Sequence, residues 1–389
     1  LKIDAVTKEP LSGGRYQVSD SNGAVVYQFT ASGKPEQLNG ILRAGESYTL
    51  EEVEPPSGYA YSKKIPFTVP QSPKTIEIVM EDKPTNLLVE KLTEAMVASP
   101  SEAEHQLSGF KLQILNADKS PAIAARTTED FKAGEELIFT TGNQFKQLIG
   151  QLIAGQSYWL HEISPRDGYA YAEDVMFTVS LDGREDIVLM VDKPTQVIVS
   201  KKAITGDNEL PGNYMSIRNM AGAVIEEWIS AEDPHIITAK LVAGETYLLC
   251  EERPLEGYAY ASAVEFTVSL DGTIDRIEMK NEMTKVRIIK MNSSGNHLKG
   301  AVLQVLDAQK NIVIPDFEST GDAMEIAGQL TAGRQYYLHE VQAPAGYLLS
   351  ADVPFTVPKG AEVVEVRMSD PKKPTSEPYK PEKSFQETD

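Results

Sequence analysis

The chain has 389 residues, 57 of them Asp or Glu and 37 Lys or Arg, for a formal net charge of −20. That length points to about three or four domains, and 41% hydrophobic residues is enough to bury a core in each, which excludes disorder throughout. The acidic balance argues against nucleic acid and anionic membrane surfaces as partners, and the single cysteine, Cys250, excludes an intramolecular disulfide framework. Five histidines leave little material for a zinc site, so neither metal nor cofactor is expected. No apolar run approaches the roughly 18 residues of a membrane span, so no direct membrane insertion is expected. The opening Leu1-Lys2-Ile3-Asp4 lacks a start methionine and signal peptide and reads as an excised or processed piece.

One pattern then recurs along the chain. Leu42-x-Ala44-Gly45-x-x-Tyr48 returns from Leu152, Leu241 and Leu330, with glycine spacings of 110, 89 and 89. Each copy continues to a glutamate (Glu52, Glu162, Glu251, Glu340) and, six residues on, to a Gly-Tyr pair at Gly58, Gly168, Gly257 and Gly346. Phe-Thr-Val follows at Phe67, Phe177, Phe266 and Phe355. A period of about 90 residues exceeds solenoid repeats and suits an independent β-sandwich. Four tandem units are therefore expected, at 1-84, 85-194, 195-283 and 284-371, with a Pro/Lys-rich tail at 372-389. Period-two runs such as Thr75-Ile76-Glu77-Ile78-Val79-Met80 make the fold class all-β.

The second unit carries 21 more residues, between Lys91 and Gly155, which are expected to form loops. Within it, Gln144 to Gln151 is the best helix candidate, and the acidic run Glu94 to Glu104 reads as a solvated loop. Asp82-Lys83-Pro84-Thr85 and Asp192-Lys193-Pro194-Thr195 lead straight from one unit into the next, which predicts semi-rigid joints.

Residues two apart on a strand share a face, and this singles out three polar positions per unit. Leu87 and Val89 share a face with Lys91, Val197 and Val199 with Lys201, and Val286 and Ile288 with Lys290. Tyr48 and Leu50 share one with Glu52, and the same holds before Glu162, Glu251 and Glu340. In the last strands, Met80 aligns with Asp82, Met190 with Asp192, Met279 with Asn281 and Met368 with Asp370. Each interior thus receives a Lys, a Glu and an Asp or Asn. Burying such a triad costs several kcal/mol per ion before pairing, roughly what pairing returns. Desolvation should lower the lysine pKa and raise that of the glutamate, giving an amine nucleophile and a carboxyl acid, a pair that can make an amide. The competing expectation is an uncrosslinked, hydrogen-bonded cluster that fixes the sandwich.

Tyr336-Tyr337-Leu338-His339-Glu340-Val341-Gln342-Ala343-Pro344-Ala345-Gly346-Tyr347 resembles the glutamate motif of the SpaA-type, or Cna B-type, domains of Gram-positive surface adhesins and pilins. Lys2-x-Asp4 followed by Leu11-Ser12-Gly13 resembles the start of the same domain, and the similarity covers residues 1 to about 371. The resemblance implies transthyretin-like Greek-key sandwiches in an elongated rod, each with a self-formed isopeptide bond between its first and last strands. Carried over, the crosslinks are Lys2 with Asp82, Lys91 with Asp192, Lys201 with Asn281 and Lys290 with Asp370. Glu52, Glu162, Glu251 and Glu340 are the catalytic acids. Asn is the commoner acceptor in pilin domains, whereas Asp stands in three of these four. The first unit begins one residue before Lys2, so a short opening strand is expected there.

The function expected is an extracellular stalk of a bacterial surface adhesin or pilus-like protein, without turnover activity and monomeric as a fragment. Cell-wall anchoring would come from beyond this chain, because neither a Leu-Pro-x-Thr-Gly signal nor a Tyr-Pro-Lys motif occurs in it. The alternative is a module that binds a host protein or glycan through loops of the second unit, between Arg126 and Gln147. A glycosidase or protease lacks support, since the inward carboxylates recur once per unit beside a lysine instead of pairing across a cleft. Cys250, His161 and His339 fall on the outer face of the glutamate strand, where a solvated face is expected, not a reactive thiol or metal ligands.

Overall fold

The computed structural model describes residues 1–99 and 106–374. It consists of four tandem β-sandwiches, each pairing a small sheet with a four-stranded one. Contacts group the chain into two compact units: Leu1–Gln196 with Thr238–Glu245 and Val268–Ile274, and the remaining residues.

In the first unit, the opening sandwich sets Lys2–Asp4 beside Met80–Asp82, and its larger sheet runs in the order Val25–Ser32, Ser12–Asp20, Ser47–Glu54, Ile65–Thr68. The second sandwich places Asn86–Thr93 between Lys146–Ile149 and Glu185–Asp192, against Val175–Thr178, Ser157–Ser164, Lys111–Asn116 and Ile138–Thr140. Its core gathers Leu87, Val89, Phe110, Leu112, Leu160 and Met190.

In the second unit, Gln196–Ala203 of the third sandwich belongs to the first unit only at its opening residue and pairs in parallel with Asp275–Asn281. The larger sheet there orders Val224–Ile229, Tyr214–Asn219, Thr246–Arg253 and Val264–Thr267. In the fourth sandwich, Lys285–Asn292 lies between Met324–Ala327 and Val363–Asp370, facing Ile312–Thr320, Lys299–Asp307, Gln335–Gln342 and Val353–Thr356.

The first and last strands of every sandwich are parallel neighbours in one register. Lys2 pairs with Met80, Lys91 with Met190, Lys201 with Met279 and Lys290 with Met368. Parallel pairing forces the rest of the sandwich into the crossover between them. It also sets the acceptor two residues past each lysine's partner, on the same face.

The recurrent Leu-x-Ala-Gly-x-x-Tyr turn has a structural role. Gly45, Gly155, Gly244 and Gly333 each donate their N–H at 2.8 Å to the valine carbonyl after Phe-Thr, which ties the turn to the edge strand. Tyr48, Tyr158 and Tyr336 accept a backbone N–H from five residues earlier, at 3.0 to 3.2 Å, and stack near Phe67, Phe177 and Phe355.

Two expectations are corrected. Gln144 to Gln151 is not a helix: Lys146–Ile149 is a strand, because the slot beside Asn86–Thr93 takes Leu148 inward while Gln147 and Ile149 stay exposed. The helix in the described residues is Glu94–Ala98, whose N-terminus is capped by Thr93 Oγ1 accepting the Met96 N–H at 3.2 Å. The acidic run expected as a loop therefore opens helically, and its residues 100–104 lie outside the described ones, as does the tail from residue 375.

Joints within each unit are built alike. Thr85 donates its N–H to Gly58 O at 3.0 Å and its hydroxyl to Leu152 O at 2.9 Å. Thr284 makes the same pair with Gly257 O and Leu330 O, at 2.9 and 2.7 Å. One threonine thus ties the Gly-Tyr turn of one sandwich to the turn motif of the next.

Candidate active site

The alternation of the three strands delivers the expected residues to each interior. All twelve are buried, none more than 9% exposed. Lys91 Nζ lies 2.5 Å from Asp192 Oδ1 and 2.9 Å from Glu162 Oε1. Lys2, Lys201 and Lys290 donate to Asp82, Asn281 and Asp370 respectively. Their Nζ atoms lie 3.2, 2.9 and 2.8 Å from Glu52, Glu251 and Glu340. The structure therefore brings together every Lys, Glu and Asp or Asn that the strand pattern singled out.

The glutamates are aimed by a contact that the sequence did not signal. The other oxygen of each, Oε2, accepts a backbone N–H ten residues further on, from Ser62, Ala172, Ala261 and Ser350, at 2.7 to 2.8 Å. Because the donor is main chain, the side chain there is free to vary. The constant spacing from the Gly-Tyr pair is the signal that could have located it. In the first sandwich, Ser62 adds its hydroxyl to Asp82 Oδ1 and Glu81 O, and Lys2 Nζ donates to it at 3.0 Å.

The acceptors divide into two kinds. In the third sandwich Asn281 Nδ2 donates to Glu251 Oε1 and Oε2, at 2.8 and 3.0 Å, and to Ala259 O at 2.9 Å. In the other three, one Asp oxygen (Asp82, Asp192 or Asp370 Oδ2) and one Glu oxygen (Glu52, Glu162 or Glu340 Oε1) are buried without a hydrogen-bond partner among the described residues. The lysine approaches that Glu oxygen as an ion pair but is not aligned as a donor. Burial pushes the Asp82 carboxyl up to about 7 and that of Asp192 up to about 6, and the adjacent Glu52 and Glu162 add to the rise against the pull of the lysines. Burial likewise pushes the Lys201 ammonium down.

Aromatic rings line two of the lysines. Lys2 Nζ sits 5.3 Å from the centre of the Tyr16 ring and Lys91 Nζ 5.1 Å from that of Phe110. Burial, Glu52 and Asp82 raise the Tyr16 phenol well above the usual tyrosine range, so it is a fixed neutral wall.

The residues assigned to outer faces lie there. Cys250 is half-buried, and burial with neighbouring Glu252 pushes its thiol up, away from reactivity. His161 and His339 each face an aspartate, Asp174 and Asp352, at 2.7 Å. Arg126, at the start of the proposed binding loop, packs 4.9 Å over the Tyr59 ring and 3.7 Å from Asp4.

The family model for the SpaA prealbumin-like fold domain matches residues 1–84, 195–283 and 284–372. No curated protein matches the chain. Among solved structures, the Bacillus anthracis TIE protein is 15% identical over 93% of this chain and 69% of its own, with a TM-score of 0.35. The Streptococcal ancillary pilin is 19% identical over 75% of this chain and 99% of its own, at 0.29. The shaft pilin SpaA from Lactobacillus rhamnosus GG is 12% identical over 46% of this chain and 98% of its own, at 0.24.

Proposed function

The chain belongs to the SpaA, prealbumin-like fold domain family, and from that membership and its buried triads we propose that it is an extracellular structural stalk of a Gram-positive surface adhesin or pilin. Each sandwich closes one isopeptide bond between its first and last strands. The observation that carries this is the fourfold placement of a lysine amine against an Asp or Asn side-chain carbonyl, with a buried glutamate beside both.

The chemistry follows from who holds the protons. Inside a dry core the ion pair Lys⁺/Asp⁻ and the neutral pair Lys/AspH differ by one proton transfer, and desolvation favours the neutral form. The neutral Nζ attacks the acceptor's Cγ, and the Nζ–Cγ bond forms. The glutamate holds the acceptor carbonyl polarised and passes the amine proton to the leaving group. The Cγ–O bond of Asp82, Asp192 or Asp370 then breaks to release water, and the Cγ–N bond of Asn281 breaks to release ammonia. Strand pairing keeps amine and carbonyl in contact before reaction, which supplies the effective concentration that free side chains lack. Each site reacts once with itself, so the chain turns over no substrate, and the reaction as written consumes no cofactor.

The consequence is mechanical. Force entering at the lysine leaves at the acceptor, and the chain between them, a sequence separation of 80 to 101, carries none of it. Each acceptor lies nine positions before the next lysine, from Asp82 to Lys91, Asp192 to Lys201 and Asn281 to Lys290. Such a segment resists shear and proteolysis without disulfides, which suits a cell surface.

Intact mass of the denatured chain tests this. Three waters and one ammonia lost predict a deficit of about 71 Da from the sequence mass. A chain at its full calculated mass would remove the crosslinks while leaving the sandwiches intact.

A further inference from the structure

In each sandwich the strand that carries the glutamate pairs with the edge strand after it, and the pairing stops just short of the glutamate. The last paired residues are Leu50 with Ile65, Leu160 with Val175, Leu249 with Val264 and Leu338 with Val353. One step further, the residue before the glutamate comes opposite the residue two beyond its backbone donor. These couples are Glu51 and Lys64, His161 and Asp174, Cys250 and Ala263, and His339 and Asp352.

In the first, second and fourth sandwiches the couple is joined on the outer face. Lys64 Nζ lies 2.8 Å from Glu51 Oε1, and His161 and His339 place Nδ1 2.7 Å from Oδ1 of Asp174 and Asp352. Each carboxylate is held from a second side as well, by Gln17 Nε2 at 3.0 Å, Lys119 Nζ at 2.5 Å and Lys310 Nζ at 2.8 Å. Those two lysines lie 3.5 Å from the centre of the Trp159 ring and 3.2 Å from that of Tyr337. In the third sandwich Cys250 faces Ala263, which has no polar side chain to offer. That is also the sandwich with an asparagine acceptor, whose Nδ2 holds both oxygens of Glu251. In the other three, Oε1 of the glutamate has no hydrogen-bond partner among the described residues, so the carboxyl is aimed through Oε2 by the N–H of Ser62, Ala172 or Ser350.

We propose that the outer couple is a positioning clip for crosslinking, needed where the acceptor is an aspartate; this rests on the crosslinking reading above. A ladder that ends at Leu160 and Val175 leaves the segment before Val175 free to splay, and a polar cross-strand pair one step beyond the last rung closes it. His161 precedes Glu162 directly and Asp174 lies two residues past Ala172, so the clip spans the contact by which the Ala172 N–H aims Glu162. Lying on the outer face, the couple acts through the glutamate, and its members are positioning residues. Asn281 makes a clip dispensable, because its amide holds Glu251 from the acceptor side. An aspartate acceptor supplies no such amide, and the aim of the glutamate then depends on the segment that the clip secures.

Asp352→Ala removes the fourth clip at a partly exposed position. In newly translated full-length chain, followed by peptide mapping, the bond between Lys290 and Asp370 is expected to form about tenfold more slowly while the other three keep their rates. The Ser350 amide is expected to exchange faster while the strand Gln335–Gln342 stays protected, a pattern that unfolding of the whole sandwich would not give. The third sandwich supplies the reverse test. Asn281→Asp, which has no clip, is expected to crosslink slowly, and adding Cys250→His with Ala263→Asp is expected to restore the rate. The same two additions beside the native Asn281 are expected to change nothing. A parental rate in Asp352→Ala, or no acceleration of Asn281→Asp by the added clip, would overturn the proposal while leaving the crosslinks in place. A parent chain at its full calculated mass would instead remove the reaction itself, and the clip's role with it.

Discussion

Asn281 donates its side-chain amide to both oxygens of Glu251, whereas the other three sandwiches set an aspartate carboxyl against the corresponding glutamate. In the proposed reaction a proton on Asp82 or Asp192, whose carboxyls burial raises, does what the amide hydrogens do for Asn281. Substituting Asn281→Asp should therefore preserve the crosslink, with water leaving instead of ammonia. The product is the same amide, so the intact mass of the fully reacted variant should equal that of the parent. An increase of about 18 Da would show that this sandwich cannot hold the extra proton.

The same proton sets a pH dependence. In the proposed reaction Asp82 and Asp192 react in their protonated forms, and burial has raised them to about 7 and about 6. As pH rises through those values the acceptor loses its proton and becomes a poor electrophile. Bond formation in newly translated chain should slow above about pH 7 in the first sandwich and above about pH 6 in the second. The third has no acceptor carboxyl to deprotonate and should show no such loss from its acceptor. Peptide mapping of each crosslink against time across pH 5 to 9, on the order of one sample per unit, checks the ranking.

Glu340→Gln removes the carboxyl proposed to polarise Asp370 while keeping the side chain's size. The deficit from the variant's own calculated mass should fall to about 53 Da, with the other three bonds intact. The open fourth sandwich loses its closure of an 80-residue span, which by the chain-entropy model lowers its stability by about 4.5 kcal/mol. A separate, lower unfolding transition in calorimetry is the expected signature.

Gly257 and Gly346 occupy equivalent turns at φ +85° and +86°, where an added Cβ is strained by about 1 to 2 kcal/mol in either. Their surroundings differ: a Cβ on Gly257 would meet Gly328 O at 2.3 Å, and one on Gly346 would meet nothing within 4 Å. Gly257→Ala should therefore also break the joint hydrogen bonds of Thr284 and expose the Gly328 amide to hydrogen exchange. Gly346→Ala should cost only the backbone strain. Equal effects would mean that the joint yields without consequence.

The period-two alternation put Lys91, Glu162 and Asp192 on inward faces, and the fourfold repeat showed that the placement was systematic. Both are local properties of a strand: side chains alternate whatever the strand pairs with, so the sheet class and the triad residues were legible in one dimension. The segment at Lys146–Ile149 was not, because four residues with one apolar inward position suit either a helix or a strand, and only the slot beside Asn86–Thr93 decides. The backbone donors of Ser62, Ala172, Ala261 and Ser350 left no mark in side-chain chemistry. The joint contacts of Thr85 and Thr284, and the meeting of each lysine with its glutamate and acceptor, were decided by tertiary structure alone. Each depends on which groups distant in the chain exclude water together, and local periodicity carries no record of that.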